Sequence, residues 1–412
     1  MTSIETRTSW VVAFTALAVM SIAYGAPFVA VVALKPIAGE LGSARSVPAL
    51  AYSLAWLGAA VGGIGMGRIA DRIGVRWTVA FGAVMIGVGL VVSTGASTWR
   101  LWVGHGLFIG LLGNAGINAP LYIYVSRWFD RRRGAALALI SSGQYVAGAI
   151  WPLIFERGID LIGWRQTMIW FAVVEAAAVA PIALVVLAAP PETQVFGNAA
   201  SGPRPGSRVL GLPPNLLLAL LAVAAFMCCV PMAMPQGHLV AFCSDLGIAS
   251  SHGAAMLSVL LGCAFVSRQF WGWVSDRIGG LRTVLAGSLC QVVALVGFLV
   301  TQDEVGLFAV AAFFGLGFSG MIPAYVLAIR ELFPASEASW RVPSLLLFSG
   351  SGMAAGGWLA GILYDHFGFY GAAFGTGIVF NLANMAVVGS LVFRLHKALR
   401  TVRVGVSGQA AE

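Results

Sequence analysis

GRIADRIGVR, Gly67 to Arg76, and GWVSDRIGGLR, Gly272 to Arg282, are two copies of one loop. Asp71 and Asp276 within them lie 205 residues apart, and Gly163 in DLIGWRQ and Gly368 in DHFGFYG are separated by the same 205. The register therefore holds over about ninety residues, as it does when one structural unit is present twice. Each loop copy follows an apolar run long enough to cross a bilayer, so the duplicated unit is a set of membrane helices. Parallel halves related by an axis along the membrane normal are what such a repeat implies.

Composition agrees. Of 412 residues 59% are hydrophobic and 10% charged, with a mean hydropathy of +0.89; soluble domains carry roughly 25% charged residues. Apolar runs of spanning length occupy about 10–34, 48–67, 77–97, 101–125, 135–155 and 167–188, then 215–242, 254–274, 283–300, 305–329, 342–364 and 370–393. The expected fold is an all-α membrane protein of twelve transmembrane helices in two pseudo-symmetric six-helix bundles. The first run is too long for a signal-peptide core and reads as the first spanning helix. The division is 1–189 for the first bundle, 190–214 for a Pro-, Gly- and Ser-rich linker, 215–396 for the second bundle and 397–412 for a tail.

The net charge of +8 reflects orientation. With the N-terminus inside, the inner segments hold 18 of the 24 Lys and Arg residues and the outer loops five. Both termini, the linker and the tail are therefore expected in the cytoplasm, and nucleic acid is not needed to explain the basic surplus. The five cysteines have neither a framework spacing nor histidines at metal-ligand distances, so no disulfide, metal or cofactor is expected.

The one Lys or Arg left over is Arg268, inside a run that otherwise reads as membrane helix, ~12 Å along the helix from the loop at Asp276. A cation at that depth marks a functional site by default, and an anion-binding group in a water-filled cavity is the sharp reading; a tethered structural arginine is the plain one. The repeat discriminates between them. Arg268 maps 205 residues back onto Gly63, so the architecture does not demand a charge there. Other deep polar side chains are Tyr24 on helix 1, Asn114, Asn118, Tyr122 and Tyr124 on helix 4, Gln144 and Tyr145 on helix 5, His238 on helix 7 and Tyr325 on helix 10. Phenol hydroxyls can donate to a carboxylate while their rings enclose its apolar remainder. Tyr52, Tyr364 and Tyr370 sit near helix ends and read as interface-belt aromatics. Glu175 is the only carboxylate deep in a span. The pairs Gly58 and Gly62, Gly63 and Gly67, Gly352 and Gly356, and Gly357 and Gly361 are small-xxx-small spacings that allow close helix approach.

The motif GxxxDRxGxR after the second helix, doubled after the eighth, resembles the signature of the major facilitator superfamily over the whole chain. The resemblance implies alternating access around a midplane site, with Gly67, Asp71, Arg72, Asp276 and Arg277 as a conformational latch. It also implies that helices 2 and 11 face each other across the halves. Within that superfamily, PQGHLVAFCSDLGI on helix 7, the Arg268 stretch and RWFDRRRGAALALISSGQYVAG from Arg127 to Gly148 resemble the monocarboxylate transporter and oxalate:formate antiporter group. That resemblance implies that Arg268 binds a substrate carboxylate within a cage to which Tyr24, Tyr122, Tyr145 and Tyr325 contribute, with Asn118 and His238 nearby. Relatives carry a lysine where this chain has Phe28 and an aspartate where it has Ala264, and both are tied to proton coupling. The lysine of the oxalate exchangers on helix 11 is also missing, Met353, Ser349 and Ser351 occupying the region. One fixed cation fits a monoanion.

The expected function is secondary transport of small organic monocarboxylates such as lactate or pyruvate in a plasma membrane, of the bacterial inner-membrane kind, by a monomer in the lipid bilayer; coupling to H+ stays open. The alternatives are an exchanger of organic anions or an exporter of larger metabolites and, from another class, a carboxylate sensor that moves nothing. No nucleophile-base pair or phosphate-cradling loop points to an enzyme, and no catalytic residue is assigned.

Overall fold

The structure, a computed structural model, describes residues 5–129, 132–187 and 209–409. Within them the chain is almost wholly helical, the arrangement that lets each backbone N–H and C=O find a partner inside its own segment in hydrocarbon. The spans are α1 (Arg7–Val32), α2 (Ser46–Ile73), α3 (Val75–Ser93), α4 (Thr98–Ser126), α5 and α6 within Gly134–Val186, α7 (Pro214–Asp245), α8 (Ser250–Ile278), α9 (Gly280–Val300), α10 (Glu304–Leu332), α11 (Trp340–Phe367) and α12 (Gly371–Gln409). Gly163, at φ 80° and ψ 160°, divides Gly134–Val186 into α5 (134–162) and α6 (164–186) and brings the total to twelve. Residues 190–208 of the expected linker lie outside the described residues, and the expected tail from Lys397 continues α12 as helix to Gln409.

The duplication is written into the backbone. Glycines with left-handed φ recur at the 205-residue interval: Gly42 and Gly247 at 58° and 80°, Gly74 and Gly279 at 92° and 83°, Gly163 and Gly368 at 80° and 78°. A side chain is strained in that region, so glycine lets the chain reverse there, within a single residue at Gly74, Gly279 and Gly163. All three pairs fall between the same successive helices of each half.

Two seams join the halves, α2 against α11 and α5 against α8. In the first, Gly361 packs on Ser46 and Ala49, Gly357 on Tyr52 and Ser53, and Gly350 on Ala60; in the second, Gly262 meets Ala149 and Gly148 meets Leu261. The glycine pairs on the two seam helices are thus only partly seam devices. Gly58, Gly62, Gly63 and Gly67 face α4 inside the first half, and Gly352 and Gly356 face α7 inside the second, which leaves Gly357 and Gly361 to serve the seam.

At one end the seams are closed by polar bonds between the halves. Asp245 accepts from both terminal nitrogens of Arg45, at 2.5 and 2.7 Å, and from Lys35 Nζ at 3.1 Å. The Asp365 carboxylate accepts from the backbone N–H of Arg45 and Ser46, at 2.8 and 2.9 Å, and so caps the N-terminus of α2 from the opposite half. In the other seam Ser250 Oγ donates to Glu156 at 2.9 Å. Below this layer the chain from Ala23 to Leu34 of α1 and from Cys228 to Cys243 of α7 is buried on every side. Tyr364 and Tyr370, expected in a lipid belt, instead enclose Arg45, whose guanidinium carbon stands 3.8 Å from the Tyr364 ring centre. Tyr52 is likewise buried, in the α2 and α11 seam. At the opposite end, the end of the two motif loops, Asp71 bonds Arg127 of its own half at 2.9 Å and Asp276 makes no ion pair among the described residues. Among the described residues, then, polar bonds join the halves at one face, the sealed face, and none does so at the other, the parted face.

The second half carries an internal polar lattice. Tyr325 Oη donates to Asn384 Oδ1 at 2.5 Å, Asn384 Nδ2 donates to Ser288 Oγ at 2.7 Å, and Asn381 Nδ2 donates to Gln291 Oε1 at 2.9 Å. These side chains are fully buried and tie α9, α10 and α12 into one body. Asn384→Ala strands the Tyr325 and Ser288 hydroxyls and is expected to cost about 1–2 kcal/mol, read as a lower midpoint of unfolding in SDS; an unchanged midpoint would remove the lattice from the account. For the sealed face, Asp245→Asn leaves Arg45 and Lys35 without their shared charge. In detergent, the buried thiol of Cys243 in a variant lacking the other four cysteines is then expected to react with a maleimide at least about fivefold faster, and equal rates would show that the ion pairs do not hold the face shut.

Candidate functional site

Three faces of α8 settle where Arg268 lies. Val266, Phe270 and Trp273 are exposed on the perimeter. Ser267 and Trp271 turn inward to α10, through Ser267 Oγ to Ser319 Oγ at 2.8 Å and Trp271 Nε1 to the Leu316 carbonyl at 2.6 Å. The remaining face carries Arg268 to the other half, where its guanidinium carbon stands 5.2 Å from the ring centre of Tyr145 on α5. That distance is within cation–π range. Arg268 is partly exposed, its Nε is buried without a hydrogen-bond partner, and no carboxylate pairs with it among the described residues.

Around it the first half gathers a polar wall. Tyr122 and Tyr145 both lie within electrostatic reach of the Arg268 charge. Tyr24 neighbours Tyr122, and its hydroxyl accepts from Asn118 Nδ2 at 2.6 Å. Each member follows an irregularity in its helix. Tyr24 is the hinge residue between Arg7–Ala23 and Gly25–Val32. Tyr145 comes just after the break at Ser142 in α5, and Asn118 and Tyr122 come just after a π-helical stretch, Gly104–Asn114, in α4. Wide turns and breaks of this kind re-aim side chains and collect at functional sites.

Five of the seven expected binding residues therefore converge: Arg268, Tyr145, Tyr122, Tyr24 and Asn118. The other two stand apart. Tyr325 is wholly buried in the lattice of the second half. His238 belongs to the sealed face, with Nδ1 3.1 Å from Tyr370 Oη and Nε2 2.8 Å from the Gly357 carbonyl, so both ring nitrogens are occupied structurally. Of the five motif residues, Asp71, Arg72, Asp276 and Arg277 are exposed at the parted face, Arg277 lying 3.5 Å above the Trp273 ring, while Gly67 packs beside Ile123. Glu175, fully buried and without partners for either oxygen, sits on α6 away from the Arg268 cluster.

Residues that sequence reasoning passed over are Arg45, Asp245 and Asp365, which look like ordinary loop charges. The repeat held a signal for one of them. Asp365 lies 205 residues after Asp160, at the same end of the equivalent helix in the other half, next to the Glu156 that serves the second seam.

The sequence matches the family model described as Major Facilitator Superfamily over residues 10–301 and 221–408. Among curated relatives, an MFS-type transporter of Gibberella moniliformis is 23% identical over 76% of this chain and 76% of its own. Monocarboxylate transporter 13 of Bos taurus is 25% identical, covering 78% of this chain and 75% of its own. Among solved structures, the nucleoside transporter NupG superposes with a TM-score of 0.73 at 11% identity, over 92% of this chain and 99% of that one. A peptide transporter POT in complex with alafosfalin gives 0.71 at 15% identity, over 92% and 94%. At such identities the structures speak for the fold alone. The duplicated bundles, the loop motif in each half and a family match running from α1 to α12 have one explanation: the chain belongs to the Major Facilitator Superfamily.

Proposed function

We propose that the protein carries small organic monocarboxylates of the lactate and pyruvate kind across the membrane by alternating access, with Arg268 pairing the substrate carboxylate. The observation that carries this reading is the Arg268 guanidinium, without a carboxylate partner among the described residues, partly exposed, set between the halves and faced by phenol groups of the opposite half. A single cation accepts one carboxylate, and Tyr145 and Tyr122 can donate to it while their rings cover its hydrocarbon part. The relative named as a monocarboxylate transporter supports the same class. The excess of Lys and Arg at the motif-loop end favours placing the sealed face outside and the parted face, with both termini, in the cytoplasm of a plasma membrane. The motif residues Asp71, Arg72, Asp276 and Arg277 would then be a latch that engages when this face closes.

Charge balance bears on how the carrier cycles. When the parted face closes, an empty site buries an uncompensated cation, which is costly in low dielectric, and a bound carboxylate relieves it. Among the described residues the Arg268 cluster contains no carboxylate that could neutralise the arginine in the substrate's absence. This favours exchange over net movement: the loaded form reorients readily and the empty form slowly.

Proteoliposomes test both points. Arg268→Ala is expected to lower lactate uptake at least about 100-fold, and Arg268→Lys, which keeps the charge but loses the forked geometry, to fall between. Uptake at the wild-type rate by both variants would sink the assignment. Preloading wild-type vesicles with unlabelled lactate is expected to accelerate entry of labelled lactate at least about fivefold; equal entry into empty vesicles would discard exchange.

A further inference from the structure

The 205-residue register also runs through the sealed face. Asp365 caps α2 there by accepting from the backbone N–H of Arg45 and Ser46, and the residues at the same interval are Asp160 at the end of α5 and Ser250 and Ser251 at the start of α8. The α5 and α8 seam therefore holds the parts of a second catch: a carboxylate, and a helix end whose first N–H groups have no partner within the helix. It is not engaged. Asp160 makes no hydrogen bond or ion pair among the described residues, and it lines, with Ser250 and Glu156, a cavity of about 580 Å³ between the halves. Two differences in sequence account for this. One turn before Asp365 stands Gly361, where a Cβ would lie 2.8 Å from Ser46 Cα and 3.0 Å from Ala49 Cβ, so glycine alone admits α2 that closely. Its counterpart one turn before Asp160 is Glu156, whose carboxylate reaches the start of α8 itself and accepts from Ser250 Oγ at 2.9 Å. The other difference is at Arg45, whose counterpart is the uncharged Ser250, while Glu40, the counterpart of Asp245, is bonded to Trp164 and Arg165 of its own half.

We infer that Glu156 is a wedge: it holds α8 off Asp160, keeps the second catch open and leaves the α5 and α8 seam the weaker closure of the sealed face. Its side chain occupies the position at which Gly361 lets the other seam close. Without that side chain α8 settles on α5 as α2 settles on α11, and the Asp160 carboxylate meets the N–H groups of Ser250 and Ser251, where the helix end concentrates partial positive charge. The cavity shrinks as they meet. A bond across the halves that exists only in the sealed state shifts the conformational equilibrium toward that state by its own free energy. Two complete catches would hold the face shut more firmly than one, and the wedge keeps the second from forming.

The test places one thiol on the cavity wall. Ala241, 3% exposed on α7, lines the cavity, and Ala241→Cys in a full-length parent lacking the five native cysteines gives a thiol whose reaction with a maleimide in detergent reports opening of this seam. Glu156→Gly is expected to slow the reaction at least about fivefold, and Glu156→Ala, which puts no glycine into the helix, to slow it at least about twofold. Glu156→Gln keeps the bulk of the wedge and is expected to stay within about twofold of the parent, as is Asp160→Ala alone, because the catch it removes is not engaged. Combined with Glu156→Gly, Asp160→Ala is expected to restore the parent rate, the coupling that marks a direct pair. A rate at or above the parent's in both Glu156→Gly and Glu156→Ala, a slowing that survives Asp160→Ala, or equal slowing by Glu156→Gln overturns the wedge. A faster reaction in Asp160→Ala alone overturns it too, since the catch would then already be made. No substrate enters the measurement, so its outcome is independent of the transport reading.

Discussion

The Arg268 guanidinium, with no carboxylate partner among the described residues and set well inside a span of membrane length, is the constraint around which the rest of this protein is arranged. Hydrocarbon offers it nothing, so it must face water or a ligand, and in a bundle of twelve helices the place for either is between the halves. The packing of α8 achieves this by elimination. One face is bound to α10 through Ser267 and Trp271, another is apolar and peripheral through Val266, Phe270 and Trp273, and the third takes Arg268 to Tyr145 across the seam. A site built from two bodies is remade whenever the bodies move, so the proposed placement of Arg268 would link binding to reorientation.

The two faces of the molecule use charge differently. At the sealed face, Asp245 is shared by Arg45 and Lys35, its side chain 23% exposed, and the Arg45 contact is forked. Exposed ion pairs contribute little, but this one is partly buried, bidentate and flanked by aromatic rings, which places it among the stronger kind. Asp365 adds carboxylate bonds to the open N-terminus of α2, where partial positive charge collects. All these bonds cross between halves. At the parted face the pair of Asp71 and Arg127 lies within one half, with both side chains about half exposed, so nothing in it opposes separation.

Much of this was legible in the sequence because a duplicated chain carries its own control. Twelve spans, two halves and the singularity of Arg268 all come from hydropathy and the 205-residue register, and the backbone extends that register to Gly42 and Gly247. What resisted was whatever depends on which neighbour a helix face meets. The spacing of Gly58 and Gly62 announces close approach but not its partner, which is α4 of the same half. Tyr364 and Tyr370 sit where belt aromatics sit, yet the lipid that would explain them is replaced by Arg45 of the opposite half. His238 was expected beside the substrate cage, and bonds to Tyr370 and the Gly357 carbonyl occupy both its nitrogens at the sealed face instead.

Where the halves differ, they differ in a connected way. Pro120 and Tyr122 of α4 recur in α10 as Pro323 and Tyr325, 203 residues on, two short of the interval that holds at the glycine turns on either side. The first half thus has two residues more between Gly74 and its Pro-x-Tyr than the second has after Gly279, and it contains the π-helical stretch Gly104–Asn114 over that span. Wider turns absorb surplus residues without lengthening the helix, and they rotate the side chains beyond them about its axis. In the second half, with no such stretch among the described residues, Tyr325 points into its own bundle and closes a lattice with Asn384. In the first, Tyr122 lies within reach of the cation of the other half and Asn118 bonds Tyr24 beside it. One symmetric scaffold thereby yields a bonded polar lattice on one side and the wall of the proposed site on the other, and the insertion in α4 shapes that wall as surely as the arginine in α8 marks the proposed site.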